Sequence, residues 1–163
     1  MKYVILFMCC FYLCISSNAF SNKTGNFSID FPIKPTTGKI KHPQAGIYLI
    51  TFSCYKDSIL YGLIYIDYPK QVIKSENIVK NSIKGYLLSS NATVIKKENY
   101  SLDNLNGVEI TYKIKVNGNS LLGIRRFLLV YNRMFTYYAV AIDKEDTERE
   151  LRKFLDSFKI LKK

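Results

Sequence analysis

The sequence predicts an α+β fold, with a central antiparallel sheet of about six to seven strands flanked by helices. Three observations carry that expectation. Runs of alternating or continuous apolar residues recur between turn signals, two other stretches space their apolar residues at helical intervals, and short turn-forming dipeptides join the later strands closely enough for an antiparallel meander. At 163 residues, 48% of them apolar, the chain is about the size of one domain that buries roughly 70% of its surface and so needs no disulfide staples. With only 8 Gly and 4 Pro and no recurring unit, collagen-like, mucin-like, disordered and repeat classes are set aside.

Residues 1–19 read as an export signal. Lys2 precedes an unbroken apolar run from Tyr3 to Ile15, and Ser17-Asn18-Ala19 sets small residues where signal peptidase reads, so the mature chain is expected to begin at Phe20 and to be periplasmic or secreted. The run stops well short of the roughly 20 apolar residues of a bilayer span, so no transmembrane anchor is expected. Cys9, Cys10 and Cys14 lie within it, each after a Met, Cys or Leu where a lipobox needs a small residue. Cleavage leaves Cys54 as the one cysteine, expected as a buried free thiol.

Residues Ser21 to Asn26 are polar and expected to be a loose N-terminus to a single domain over 27–163. Phe27, Ile29 and Phe31 alternate with polar residues up to Pro32, which predicts a short strand ending where the backbone donor is lost. Ile33 to Ala45, with two Pro, Gly38 and three lysines, is expected as a loop carrying His42. Apolar and β-branched residues fill both phases of Gly46 to Cys54 and Ile59 to Tyr68, the pattern of central strands covered on both faces, with a turn at Lys56-Asp57. After Pro69, Ser75 is placed to cap a helix whose Val79, Ile83, Tyr86, Leu87 and Ser90 share a face opposite Lys80 and Lys84. Four strands follow, Val94 to Tyr100, Val108 to Val116, Leu121 to Tyr131 and Met134 to Ile142, with turns expected at Asn106-Gly107, Asn117-Gly118 and Asn132-Arg133. The last helix opens on the acidic stretch Asp143 to Glu150, buries Leu151, Phe154, Leu155 and Phe158, and sets Glu145 with Arg149 and Glu148 with Arg152 at i, i+4.

Three segments then look alike as a set to a known group: Phe27-Ser-Ile-Asp-Phe-Pro32; the Gly107-led strand with Arg125-Arg126-Phe127-Leu128-Leu129-Val130 and Met134-Phe135-Thr136-Tyr137-Tyr138; and Phe154-Leu155-Asp156-Ser157-Phe158-Lys159-Ile160. In that order they resemble the PsbP-like family over roughly Phe27 to Ile160. The resemblance implies an α/β/α sandwich around a central antiparallel sheet. The family includes an extrinsic subunit of photosystem II and exported bacterial proteins of unknown activity, so it also implies binding or assembly rather than catalysis. Metal sites of some members use His and carboxylates, and with His42 the sole His no such site carries over.

The residues themselves offer little catalysis. His42 and Cys54 are the one nucleophile dyad available, and Asp30, Asp67, Glu98, Asp103 and Glu109 are scattered without a paired-carboxylate motif. No phosphate loop, zinc motif or EF-hand is present, and no metal, cofactor or catalytic residue is assigned. Tyr61, Tyr65, Tyr112, Tyr131 and Tyr138 lie in phase with apolar neighbours, as core-filling rings do. Charge is the distinctive property: residues 20–142 hold 16 basic and 7 acidic side chains, while 143–163 hold 7 and 6. Lys34, Lys39 and Lys41 crowd one loop, Lys70, Lys74, Lys80 and Lys84 run into the first helix, and Lys96, Lys97, Lys113 and Lys115 dot strands. The functional expectation is an exported, non-catalytic binding or assembly module of the bacterial envelope that recognises an envelope protein, anionic lipid or acidic polymer through this surface, with nucleic acid disfavoured. A small hydrolase-type enzyme and a carrier of a small apolar ligand between sheet and helix are the rival readings.

One register follows from the turns. If Asn117-Gly118 closes a two-residue hairpin, Val116 pairs with Asn119, Glu109 with Arg126 and Ile110 with Arg125. Arg126 then gains a carboxylate, while Arg125 enters an apolar face, opposite Val140 if the next turn is Asn132-Arg133. Arg125, Lys80 and Lys84 are the candidate ligand-binding residues.

Overall fold

The computed structural model describes residues 19–41, 46–69 and 75–161. The apolar run of the expected export signal, His42, Lys70 and Lys74 lie outside the described residues. The chain forms β1 (Phe20–Asn22), β2 (Phe27–Ile29), β3 (Thr36–Lys41), β4 (Tyr48–Lys56), β5 (Ile59–Asp67), α1 (Ser75–Ser90), β6 (Thr93–Leu102), β7 (Leu105–Val116), β8 (Asn119–Val130), β9 (Arg133–Ile142), α2 (Thr147–Asp156) and β10 (Lys159–Ile160). Seven strands make one antiparallel sheet in the order β3-β4-β5-β9-β8-β7-β6, and β1-β2-β10 make a small second one.

Two expected loops are strands. The N-terminal segment, expected to be loose, begins with β1, which pairs with β2 through Phe20 opposite Ile29, and its turn is closed by Gly25 N–H donating to the Asn22 side chain at 2.6 Å. The Ile33 to Ala45 segment contains β3, an edge strand that pairs with β4 although Pro and Lys flank and punctuate it. Three turns also move. The β4–β5 turn is Asp57-Ser58, the β6–β7 turn is Asp103-Asn104 with Asn106-Gly107 inside β7, and the β8–β9 turn is Tyr131-Asn132. The first two use Asp, Ser and Asn at positive φ, residues whose short polar side chains tolerate that region, whereas Tyr131 at φ 54 does so against its bulk. Asn117-Gly118 turns as the sequence predicts, with both residues at positive φ.

Alternation along the strands splits the buried residues between two faces. Leu122, Ile124 and Leu128 of β8 and Phe135, Tyr137, Ala139 and Ala141 of β9 pack under α2 and the small sheet with Phe27, Ile29, Phe154, Leu155 and Phe158. Phe127, Met134, Val140, Ile110 and Tyr112 point the other way, under Ile78 and Ile83 of α1. The helices therefore cover opposite faces, as an α/β/α sandwich requires. β4 buries Phe52 and Cys54 on the α2 face, while its other face is not buried, so the expectation that this strand is covered on both sides is corrected. The small sheet is tied to α2 at its end: Asp30 N–H donates to Ser157 Oγ at 2.9 Å, and Ser157 Oγ donates back to the Phe154 carbonyl at 2.6 Å.

Three glycines let tyrosines lie flat across the sheet. Gly62 faces Tyr138, Gly107 faces Tyr100 and Gly123 faces Tyr112, and a Cβ at any of the three would stand inside its partner's ring. This close approach positions the rings around the two arginines of β8.

Candidate functional site

Arg125 and Arg126 are neighbours on a strand, so the pleat sends them to opposite faces. On the α2 face Arg126 meets Glu109, its register partner, through Nε donating to Glu109 Oε2 at 2.7 Å. A second nitrogen reaches Asp156 Oδ1 at 2.7 Å, and Arg152 of α2 donates to Glu109 Oε1 at 2.6 Å and to Glu148 at 2.7 Å. Burial works against the Glu109 carboxylate, yet the bonds from Arg126 and Arg152 outweigh it and hold its pKa below the ordinary range. The hydroxyls of Tyr100 and Tyr137 bond to each other beside this network, and burial drives the Tyr137 phenol up. Both Glu109 oxygens are engaged, which leaves a saturated structural cluster rather than a poised acid or base. Of the expected pairs on α2, Glu148 with Arg152 forms, whereas Arg149 lies near Asp146 and Glu150 instead of Glu145.

On the α1 face Arg125 has a different environment. It is 9% exposed, and its guanidinium lies between the Tyr86 ring at 3.8 Å and the Tyr138 ring at 4.1 Å. Tyr138 is its register partner, because the Tyr131-Asn132 turn shifts the pairing by two from the expected Val140. Arg125 Nε and the hydroxyl of fully buried Tyr112 have no hydrogen-bond partner, and no described carboxylate pairs with Arg125. Two stacked tyrosines offset part of the desolvation of the cation. Lys80 and Lys84 are exposed on α1, opposite the Ile78, Ile83 and Tyr86 stripe that covers Arg125. The three candidate residues share one helix's neighbourhood, but on its two sides, and form no single pocket.

Sequence reasoning missed the site built around Arg133. Its Nε and second nitrogen bond both Asp67 oxygens, at 2.6 and 2.7 Å, and its remaining nitrogen bonds the Gly25 and Thr24 carbonyls at 2.6 and 3.0 Å. The guanidinium sits 4.5 Å from the Tyr65 ring centroid. Around it lies a cleft of about 680 Å³ between the small sheet and the β8–β9 turn, floored by Val130, Phe135, Ile160 and Leu161. Tyr131, expected in the core, stands 90% exposed at its rim. No local motif announces a contact between residues 25, 67 and 133, and the sequence reading set Arg133 within the expected Asn132-Arg133 turn rather than at the start of β9. Elsewhere chemistry is sparse. Cys54 is buried, its thiol pushed up by that burial, and no described group of three His, Cys, Asp or Glu side chains is placed to hold a metal. No described helix is long and apolar enough to cross a membrane.

No family model matches the chain, and no curated protein matches it at a significant level. Among solved structures it is similar to cyanobacterial PsbP from Synechocystis sp. PCC 6803, at 13% identity and a TM-score of 0.65 over 93% of this chain and 96% of that one. The chain has the PsbP-like fold. It is similar too to LpqN, a protein involved in cell envelope biogenesis of Mycobacterium tuberculosis, at 13% identity and a TM-score of 0.51 over 85% of this chain and 86% of LpqN. The sandwich implied by the three sequence segments is the one observed, and those segments meet in space: β2, β8 with β9, and the α2–β10 end line one core.

Proposed function

We propose that this chain is an exported, non-catalytic binding or assembly module of the bacterial envelope, made as a single domain that includes β1 after removal of residues 1–19. One observation carries the reading: among the described residues outside α2, most lysines have no carboxylate partner. On α2, Arg149, Arg152 and Lys153 all lie within salt-bridge distance of carboxylates. Lys34, Lys39, Lys41, Lys56, Lys80, Lys84, Lys97 and Lys115 make no ion pair with any described residue. Positive charge left unpaired around the sheet and α1 raises the local concentration of anionic partners. The envelope role of LpqN, which has the same fold, supports the compartment. Lys80 and Lys84 offer exposed contacts on the outer side of α1, and Arg125, on its sheet-facing side, would separately take an anionic group that displaces Tyr86.

The test is retention on a polyanionic matrix. The exported protein, its N-terminus confirmed as Phe20 by sequencing, should bind at low salt and elute before physiological ionic strength, with Lys80→Glu/Lys84→Glu eluting earlier. Absence of retention at low salt overturns the reading. A hydrolase would need two titratable groups converging in a cleft. Glu109, the buried carboxylate, spends both oxygens on arginines.

A further inference from the structure

Two buried polar groups under α1 lack a hydrogen-bond partner among the described residues. They are Arg125 Nε and the Tyr112 hydroxyl, in side chains of residues 9% and 0% exposed. The strand register brings them together. Tyr112 pairs with Gly123 and lies flat across it, so its hydroxyl end reaches over β8 on the face from which Arg125, two residues further along, also projects. Burial pushes the Tyr112 phenol up, more than the nearby Arg125 charge draws it down, so the group keeps its proton and can donate it to an acceptor.

An acceptor with one negative charge would satisfy both. Arg126 on the opposite face has Glu109 and Asp156, whereas none of the salt bridges among the described residues includes Arg125. The surrounding wall is apolar, made by Ile78, Ile83, Ile110, Phe127, Met134 and Val140. In such surroundings a single cation balances a single negative charge, and a phosphate or sulfate dianion would bring a second one uncompensated. A carboxylate is planar, matches the edge of a guanidinium, and keeps lone pairs for the Tyr112 hydroxyl.

Tyr86 is the movable wall. Its ring covers one face of the guanidinium at 3.8 Å and meets the Tyr112 ring edge-on at 5.1 Å, while Tyr138 covers the other face from the sheet. Gly85 beside it weakens the helix and opens onto free space, and the Ser89 and Ser90 hydroxyls both donate back to the Tyr86 carbonyl, at 3.0 and 2.7 Å. We propose that Arg125 and Tyr112 bind a small monocarboxylate whose apolar body takes the place of the Tyr86 ring. The proposal rests on the anionic reading of Arg125 above and narrows it to a free small molecule about the size of the ring it displaces.

Butyrate is the probe, with butyramide and butylamine as its neutral and cationic counterparts. Titration calorimetry should show binding of butyrate and of neither counterpart. Because the pair forms out of solvent, physiological salt should change the affinity by less than about twofold. Arg125→Met should abolish binding, and Tyr112→Phe should weaken it about tenfold and carries the comparison should Arg125→Met unfold. Tyr86→Ala, which removes the ring that must leave, should tighten binding about tenfold. The chain has no Trp, so Tyr86→Trp reports the displacement: its emission should shift to the red with butyrate and stay unchanged with butyramide. Butyramide binding as tightly as butyrate, butyrate binding that survives Arg125→Met, or no butyrate binding to Tyr86→Ala overturns the proposal. If butyrate fails while the polyanionic matrix still retains the protein, the carboxylate site is wrong and the broader reading stands; if both fail, both fall.

Discussion

The two faces of the sheet solve the same problem, a buried arginine, by different chemistry. Arg126 under α2 enters a network of Glu109, Arg152, Asp156 and Glu148, where each desolvated charge meets an opposite one. Arg125, one residue earlier under α1, meets the faces of Tyr86 and Tyr138 and leaves Nε without a partner. The first arrangement locks α2 to the sheet through directional bonds. The second holds α1 through rings that slide, so α1 is the helix whose removal from the sheet breaks no ion pair among the described residues. Charge satisfaction thus fixes the α2 face by ion pairs, while the α1 face is the one on which the proposed recognition through Arg125 would fall.

The largest effect should come from breaking the satisfied side. Glu109→Gln leaves Arg126 and Arg152 each with one remaining carboxylate in a desolvated site, and should cost about 3 kcal/mol in urea unfolding. The pH dependence has the same origin. Because the folded Glu109 pKa is depressed, its contribution is complete above the ordinary carboxylate range and is lost as pH falls through the folded value. Glu109→Gln should therefore flatten the acid limb of the stability profile, whereas Arg125→Met should leave it intact. An unchanged acid limb in Glu109→Gln would remove the network from the account.

Gly123→Ala tests packing on the α1 face. The new Cβ would enter the ring of fully buried Tyr112, which has no room to yield, so a loss of about 2 kcal/mol is expected. Gly62→Ala meets Tyr138, which is half-buried and can swing outward, so it should cost less in a thermal melt but disturb the ring stacked on Arg125. Equal costs at the two glycines would mean that the α1 face is packed as rigidly around Tyr138 as around Tyr112.

Arg125→Met sharpens the comparison directly. Replacing a buried cation that has no carboxylate with an apolar side chain of similar length removes a desolvation penalty and two ring contacts together, so stability should change by no more than about 1 kcal/mol. Arg126→Met should cost about 3 kcal/mol, because Glu109 is left buried with less compensation. A large loss in Arg125→Met would show that the tyrosine cage is a principal anchor of α1.

Much of this contrast was legible in the residues. Asn117-Gly118 is a strong turn signal, and from it alone the pairing of Glu109 with Arg126 and the apolar face for Arg125 follow. Asp156 and Arg152 were not legible as partners of that pair, since their approach depends on how α2 crosses the sheet. The helices and the later strands showed their periodicity, but β1, β3 and β10 did not, because strands of two to six polar or mixed residues are decided by a neighbouring edge rather than by their own pattern. The Arg133 cluster was invisible for the same reason: its carbonyl partners lie more than a hundred residues away.

The smallest effect concerns the turn on which the Arg125 side of the comparison depends. Asn132-Arg133 is the better dipeptide by composition, and it would have set Arg125 against Val140; the chain instead turns at Tyr131-Asn132 and sets it against Tyr138. Tyr131 accepts a φ of 54 to do so, with its ring in solvent. Strain of this kind costs about 1–3 kcal/mol, and it is tolerated because Asn132 fixes the turn from both sides, accepting from Tyr68 N–H at 2.8 Å and donating its side-chain amide to the Tyr68 carbonyl at 3.0 Å. Tyr131→Gly removes the strain and adds backbone freedom to the unfolded chain, worth about 0.5–1 kcal/mol in the opposite direction. A net gain of about 0.5 kcal/mol in urea unfolding is expected, with the Arg125 environment unchanged. A loss of stability would mean that the exposed ring makes contacts that hold the turn, and that the pairing of Arg125 with Tyr138 rests on Tyr131 itself rather than on the Asn132 clamp.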